Sequence, residues 1–164
     1  MAEVKGKEKK EKRSCKDEAL FWLEYGDRTE KEMVQHLKKK GYDEREIAEC
    51  MAFLVELSLI DDNRYALKFV EISMEKGRGP IRIRHELQEK GVAGGIADEA
   101  IATVYDRTTE RELALELAKK TFRTMDLDPE ERLAEKDKAK IARKLAAAGF
   151  SAGAAYDAIG RLKR

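Results

Sequence analysis

The sequence predicts an all-α fold of three tandem three-helix repeats that form an elongated, curved, modular array. Charged residues make up 41% of the 164 residues and only two residues are proline. Glutamate, lysine, alanine and leucine, which all favour helices, recur throughout. No segment shows the strict alternation of apolar and polar residues that marks a strand, so no sheet is expected. An internal repeat sets the number of units.

The repeat consists of an apolar residue, another four positions later, and a glycine four positions after that. It occurs three times, as Met33-Leu37-Gly41, Ile83-Leu87-Gly91 and Ile141-Leu145-Gly149. An apolar residue follows each glycine, and a small residue, which is Cys50 in the first copy, lies nine positions beyond the glycine. This agreement indicates repeated units, each with a small core that also leans on its neighbour.

The chain is predicted to consist of a tail and three repeats. Residues 1–16 hold many lysines and almost no large apolar side chains, so we expect a flexible charged tail. The repeats are predicted over residues 17–60, 61–106 and 107–164. The ends are basic and the middle is acidic, although the net charge is only +1. The chain therefore lacks the strong basic excess of a typical DNA-binding domain.

The first repeat is predicted to begin with a helix over about residues 17–25. Leu20 and Leu23 have the spacing of an inward face on this helix. Two segments with the spacing of a capping box, Thr29–Glu32 and Asp43–Glu46, mark the starts of the second and third helices.

The second repeat begins at Asp61 and Asp62, which precede a helical apolar pattern and are predicted to cap a helix. A metal-binding pair is the less favoured interpretation of these two aspartates. The inward face of the helix is predicted from the spacing of Tyr65, Phe69 and Ile72. The Gly-Arg-Gly-Pro turn at 77–80 ends this helix, and its proline begins the next one. We expect this turn to form a basic, exposed corner.

The third repeat is predicted to start at another capping box, Thr109–Glu112, with Leu113 and Leu117 facing inward. A longer connection follows. The sequence Asp-Pro-Glu-Glu at 128–131 indicates a helix start with proline in its first position. Gly149 is predicted to end that helix.

No arrangement of residues predicts an enzyme, a metal site or a cofactor. The sequence lacks a phosphate-binding P-loop and a dinucleotide-binding glycine motif. Cys50 replaces the alanine of the other repeats and is interpreted as a packed side chain, whereas Cys15 lies in the predicted tail and is taken as incidental. His36 and His85 are interpreted as surface or packing residues, because neither has a partner at metal-ligand spacing. The absence of a long apolar run and of a secretory signal predicts a cytoplasmic protein without membrane spans.

Four blocks of sequence carry a family resemblance. The most specific are L-V-E-L-S-L-I-D-D-N-R-Y-A-L-K-F-V at 54–70 and G-R-G-P-I-R-I-R-H-E-L-Q-E-K-G-V at 77–92, and two more lie at 19–33 and 141–151. In order and spacing they resemble the RecX family of regulatory proteins, which act on the recombinase RecA. The resemblance covers roughly residues 17–163. Three features depart from the family pattern: Ser58 in place of glycine, the loose Ala93-Gly94-Gly95 segment, and an insertion around 126–135.

The resemblance implies a fold of three tandem three-helix repeats and a monomer that binds within the helical groove of the RecA–DNA filament. It also implies modulation, mainly inhibition, of RecA ATPase, strand-exchange and co-protease activities, with possible weak nucleic-acid contacts. Two alternatives stay open at this point. One is a DNA-binding module of the helix-turn-helix type, and the other is a generic helical interaction scaffold.

Exposed basic side chains are the candidates for contact with an acidic or polymeric partner, and a solvated charge is the alternative for each of them. The first candidates are Arg78, Arg82 and Arg84. The second group contains Lys38, Lys39, Lys40, Arg143, Lys144, Arg161, Lys163 and Arg164.

Overall fold

The computed structural model describes residues 11–127 and 132–162. In these residues all regular structure is helical, which confirms the predicted all-α repeat fold. The helices are α1 (Cys15–Leu23), α2 (Glu30–Lys39), α3 (Glu44–Glu56), α4 (Asp62–Glu75), α5 (Pro80–Glu89), α6 (Gly94–Val104), α7 (Arg107–Arg123), α8 (Glu135–Ala148) and α9 (Ala152–Arg161).

The chain divides into two compact units between Ile60 and Asp61. The first unit contains α1 to α3 and one hydrophobic core. The second contains α4 to α9 and two cores, one built mainly from α4 to α6 and the other from α7 to α9. The finer division into repeats at residues 17, 61 and 107 stays a prediction.

Helix α1 begins earlier than the sequence predicts. Ser14 is its N-cap, and the Ser14 hydroxyl accepts a 3.1 Å hydrogen bond from the backbone N–H of Asp17. Because the helix includes Cys15, its buried face carries Cys15 and Ala19. The prediction that Leu20 faces inward is therefore wrong, since Leu20 is 37% exposed.

The two predicted capping boxes of the first unit are confirmed. The Thr29 hydroxyl accepts from the backbone N–H of Glu32, and the Glu32 carboxylate accepts from the backbone N–H of Thr29, both at 3.1 Å. Asp43 and Glu46 make the same reciprocal pair at the start of α3. Each box satisfies backbone donors that have no partner inside the helix.

Helix α4 is capped as predicted but buries a different face. The Asp61 carboxylate accepts hydrogen bonds from the first turn of the helix, whereas Asp62 is the first residue of the helix itself. The buried residues are Ala66, Val70 and Ser73, with Tyr65 and Phe69 half-buried at the edge. Ile72 is 42% exposed, so its predicted inward position is wrong. Small side chains in the centre of the face allow α4 to pack closely on α6.

Helix α7 also begins earlier than predicted. Its N-cap is Asp106, whose carboxylate accepts a 2.6 Å hydrogen bond from the backbone N–H of Thr109. The predicted capping box at Thr109–Glu112 is therefore wrong. The predicted helix start at 128–131 lies outside the described residues, and α8 begins at Glu135.

A contact between two glycines joins the two cores of the second unit. No side chain caps α5. Instead, the backbone N–H of Gly79 donates to the carbonyl of Ala148 at 2.7 Å, and that of Ile81 donates to the carbonyl of Gly149 at 3.0 Å. The C-terminal end of α8 therefore satisfies donors at the start of α5. Gly149 has a φ of +95°, which favours glycine, and a Cβ on either glycine would overlap the other segment.

Candidate partner-binding surface

The predicted contact residues fall into two groups. Some already form ion pairs within the chain, and others do not. Lys163 and Arg164 belong to neither group, because they lie outside the described residues.

Glu86 forms ion pairs with two of the three first candidates, Arg78 and Arg82. Arg82 Nε lies 2.8 Å from Glu86 Oε1, and Arg78 Nη1 lies 3.1 Å from Glu86 Oε2. Arg82 and Glu86 are four residues apart on α5 and so share a helix face, whereas Arg78 reaches Glu86 from the preceding turn. One carboxylate therefore partly neutralises both cations.

The Gly-Arg-Gly-Pro turn is less exposed than predicted. Gly79 is buried against Gly149, and the Arg78 side chain is 29% exposed. The hydroxyl of buried Tyr105 donates a 2.5 Å hydrogen bond to the backbone carbonyl of Arg78. Burial, with a smaller contribution from the charge of Glu110, raises the pKa of Tyr105 to about 12, so this hydroxyl stays a donor at neutral pH. The backbone of the turn has a structural role in the second unit.

The third arginine of the corner forms a two-point pair. Arg84 Nε lies 2.5 Å from Asp98 Oδ1, and Arg84 Nη2 lies 3.3 Å from Asp98 Oδ2. The hydrogen bond and the opposite charge lower the pKa of Asp98 and raise that of Arg84. Arg161 is likewise paired, at 2.8 Å from Glu112 and 3.6 Å from Asp157. These pairs are exposed, so water and salt weaken them.

Four candidates keep their full charge available. Lys38 and Lys39 are exposed at the C-terminal end of α2, where a cation also complements the helix dipole. Arg143 and Lys144 are exposed on α8. None of the four forms an ion pair within the described residues. A partner could bind them without breaking an ion pair among these residues.

The last candidate, Lys40, belongs to a cluster that the sequence did not reveal. Its Nζ lies 3.9 Å from Oε1 of Glu18, a buried carboxylate of α1. His36 Nε2 lies 2.9 Å from the same oxygen, and Arg13 Nη1 lies 3.5 Å from Oε2. Burial opposes ionisation of Glu18, but the hydrogen bond with His36 and the charges of Lys40 and Arg13 outweigh it and lower its pKa. In the sequence, the only sign of this cluster is the placement of a glutamate, Glu18, on the inner face of α1.

Stacking against an aromatic ring accounts for the position of His36 in this cluster. The rings of Trp22 and His36 stack with centroids 4.0 Å apart. The guanidinium of Arg28 lies 4.2 Å from the centroid of the Trp22 ring. His36 is thus a packing residue that joins α1 to α2.

Both cysteines are buried. Cys50 is 1% exposed, and its thiol donates to the backbone carbonyl of Cys15 at 3.7 Å, in agreement with the prediction of a small packed side chain. Cys15 is also buried, so its assignment as an incidental tail residue is wrong. Burial, followed by the influence of Cys50, raises the pKa of Cys15 to about 12, which disfavours the reactive thiolate.

The described residues offer neither a cluster of metal ligands nor a membrane-spanning helix. No three His, Cys, Asp or Glu side chains among them come together in a way that could hold a metal ion. Over the same residues, every helix is too short or too polar to traverse a lipid bilayer.

These helices and their repeated cores make the molecule an all-helical repeat protein. Family models described as "RecX, first three-helix domain" and "RecX, second three-helix domain" match residues 15–54 and 61–101. The chain is 35% identical over 138 residues to Regulatory protein RecX of Vibrio vulnificus (strain CMCP6), covering 84% of this chain and 86% of that protein. The chain belongs to the RecX family of regulatory proteins.

Other relatives extend this result. Regulatory protein RecX of Clostridium botulinum (strain Eklund 17B / Type B) is 36% identical over 145 residues, which is 88% of this chain. The chain spans only 65% of the length of that relative. The crystal structure of RecX from Lactobacillus salivarius has a TM-score of 0.81 and 29% identity, covering 90% of this chain and 94% of that chain.

Proposed function

We propose that the protein binds the RecA–DNA filament and modulates it, mainly by inhibiting ATP hydrolysis, strand exchange and co-protease activity during recombination and DNA repair. Membership of the RecX family of regulatory proteins carries this proposal. The charge pattern supports it, because both compact units offer exposed cations that form no ion pair with any described residue.

The unpaired cations are the first contacts in this proposal. Lys38 and Lys39 serve the first unit, and Arg143 and Lys144 serve the second. A cation without an internal partner gives a new anion its full attraction, whereas the cations paired with Glu86 must share or exchange their partner. Because exposed ion pairs contribute only about 0–1 kcal/mol, such an exchange stays feasible.

The second set of contacts therefore contains Arg78, Arg82, Arg84, Lys40 and Arg161. Substitution of Arg82 or Arg84 also has an internal effect, since it leaves Glu86 or Asp98 without a cation. The unpaired group gives a cleaner test, because its loss removes no ion pair from the part of the chain that the structure describes.

Engagement of both units strengthens binding. Once one unit is bound, the other binds at the high effective concentration set by the chain that connects them. Loss of the cations of one unit should then reduce the binding free energy by more than the contribution of the lost contacts alone. The electrostatic part should also decrease with added salt.

Co-sedimentation with RecA filaments on single-stranded DNA tests the binding step. We expect the wild-type chain to pellet with the filaments and to stay in the supernatant with the same DNA alone. The double variant Arg143→Ala/Lys144→Ala should pellet less. Its control is Lys119→Ala/Lys120→Ala, which removes the same charge from exposed positions of α7.

Two results would contradict the proposal. One is the absence of co-sedimentation at several-fold excess over RecA. The other is strong binding to the DNA alone that RecA does not increase, which would favour a DNA-binding module.

A further inference from the structure

Of the candidate contacts described above, only Arg161 lines a further groove in the second unit. This groove has a volume of about 1110 Å³ and lies mainly along α8 and α9. Ala139 and Ala142 of α8 and Gly153 and Gly160 of α9 contribute small residues to its lining. The two alanines are three residues apart and the two glycines seven, so each pair faces the groove from one side of its helix.

No contact among the described residues requires a glycine at either of the two glycine positions. Neither has a positive φ, and no atom lies within 4 Å of a Cβ built on either one. Within a helix, glycine is less stable than alanine by up to about 1 kcal/mol. The missing side chains therefore leave α9 less stable and leave a space that no described residue fills.

The lining combines a net positive charge with an apolar part. It includes four cations, Arg111, Arg132, Lys138 and Arg161, and two anions, Glu135 and Asp157. Both anions already have a cationic partner: Lys138 lies 2.7 Å from Glu135, and Arg161 lies 3.6 Å from Asp157. Arg111 is exposed and forms no ion pair within the described residues.

One aromatic residue, Tyr156, lines the groove without packing in the core. Tyr156 is 83% exposed and projects from α9, three residues after Gly153. Exposed tyrosines are common anchors in protein interfaces, because the ring buries a large area and loses little conformational freedom on binding.

We propose that this groove binds an amphipathic helix of a partner protein, with small apolar side chains along one ridge and acidic side chains beside it. Small residues on α8 and α9 let a third helix approach closely. The free charge of Arg111 and the net positive lining select acidic flanks. A partner helix of about 14 residues, roughly 21 Å long, would match the length of α8.

Nucleic acid fits the same groove less well. A single strand would suit the exposed ring of Tyr156. The alanine and glycine side chains, however, offer no donors to its phosphates and would leave them beside apolar surface. The apolar ridge of a helix covers these small residues, and its acidic flanks can still reach the cations of the lining.

This inference goes beyond the proposed function, since it specifies a binding mode and does not depend on the identity of the partner. The probe is a synthetic helical peptide of alanine, leucine and glutamate in amphipathic order, labelled for fluorescence anisotropy. A scrambled peptide of the same composition is the peptide control. We expect saturable binding of the amphipathic peptide below about 1 mM and much weaker binding of the scrambled one.

The decisive variant is Gly153→Leu, which fills the groove. Its matched control is Gly95→Leu, because Gly95 is also the second residue of a helix, also has no atom within 4 Å of a built Cβ, and does not line the groove. Gly153→Leu should weaken peptide binding about tenfold or more, without loss of thermal stability, whereas Gly95→Leu should leave binding unchanged. Gly160→Leu provides a second, independent block.

Other outcomes overturn the inference. Equal affinity of Gly153→Leu, Gly160→Leu and wild type would show that the peptide binds elsewhere, and no saturable binding would remove the helix as occupant. A single-stranded oligonucleotide that binds more tightly than the peptide and is blocked by the same variants would assign the groove to nucleic acid. Arg111→Glu should reduce peptide binding and its salt dependence, and an unchanged salt dependence would contradict the charge selection.

Discussion

The contact between Gly79 and Gly149 offers the sharpest test of how the second unit is held together. Gly79→Ala adds a single methyl group. The φ of Gly79 is −80°, which any residue adopts, so backbone strain at this position contributes nothing. The new Cβ would instead overlap the backbone of Gly149 and Phe150. Since backbone atoms cannot rotate away as a side chain can, the two segments must separate.

Two contributions give the expected loss of stability. Insertion of a methyl group into a packed contact costs about 1–3 kcal/mol. Separation also weakens the hydrogen bonds from Gly79 to Ala148 and from Ile81 to Gly149, each worth about 0.5–1.5 kcal/mol. We therefore expect Gly79→Ala to lower the free energy of unfolding by about 2–6 kcal/mol in total.

Urea unfolding followed by far-ultraviolet circular dichroism measures this loss. The control is Gly95→Ala, since the space around Gly95 is open; it should leave stability unchanged or raise it by up to about 1 kcal/mol. The fluorescence of Trp22, the only tryptophan, reports separately on the first unit. A Gly79→Ala midpoint within error of the wild type, at unchanged m, would refute the role of this contact.

Three further predictions concern stability. Ser58 has a φ of +54°, a conformation that is costly for an L-residue, so Ser58→Gly should raise the free energy of unfolding by about 0.5–1 kcal/mol in urea titrations; a decrease would contradict this. Leu87→Ala removes a fully buried side chain and should cost about 2–5 kcal/mol, compared with less than about 1 kcal/mol for the half-exposed Leu67→Ala. The lowered pKa of Glu18 means that its ionised form stabilises the fold above its ordinary pKa of 4.5 and that this contribution disappears as the pH falls through the lowered value. Glu18→Gln should thus be less stable than wild type at pH 7, with a difference that narrows in acid; a difference that stays constant between pH 7 and pH 3 would rule out this linkage.

The sequence predicted the second helices well, because their signal is local. Large apolar residues four apart define the buried faces, as at Ile83 and Leu87. The glycines that follow need a positive φ, as at Gly91. Ser58, which follows α3, also has a positive φ and is an exception to this use of glycine.

The face of α4 was placed wrongly for a physical reason. Its buried centre is made of Ala66, Val70 and Ser73, whose small side chains give a weak hydrophobic signal. The larger rings of Tyr65 and Phe69 dominate the pattern, although they only border the core.

The sequence identified the charged residues of the candidate surface but not the ion pairs that they form. The spacing of Arg82 and Glu86 could have indicated their ion pair, because they are four residues apart on one helix. The pair between Arg84 and Asp98 joins different helices, so local spacing gives no sign of it. For the same reason, the contact of Gly79 with a turn 70 residues away could not be foreseen.

Titration of the protein into RecA on single-stranded DNA, with ATP hydrolysis as the readout, tests the proposed function most directly. We expect the rate of hydrolysis to fall as the protein is added. Arg143→Ala/Lys144→Ala should need a higher concentration for the same effect, whereas Lys119→Ala/Lys120→Ala should match the wild type. A rate of hydrolysis that does not fall at several-fold excess of the wild-type protein would contradict inhibition of RecA as its main activity.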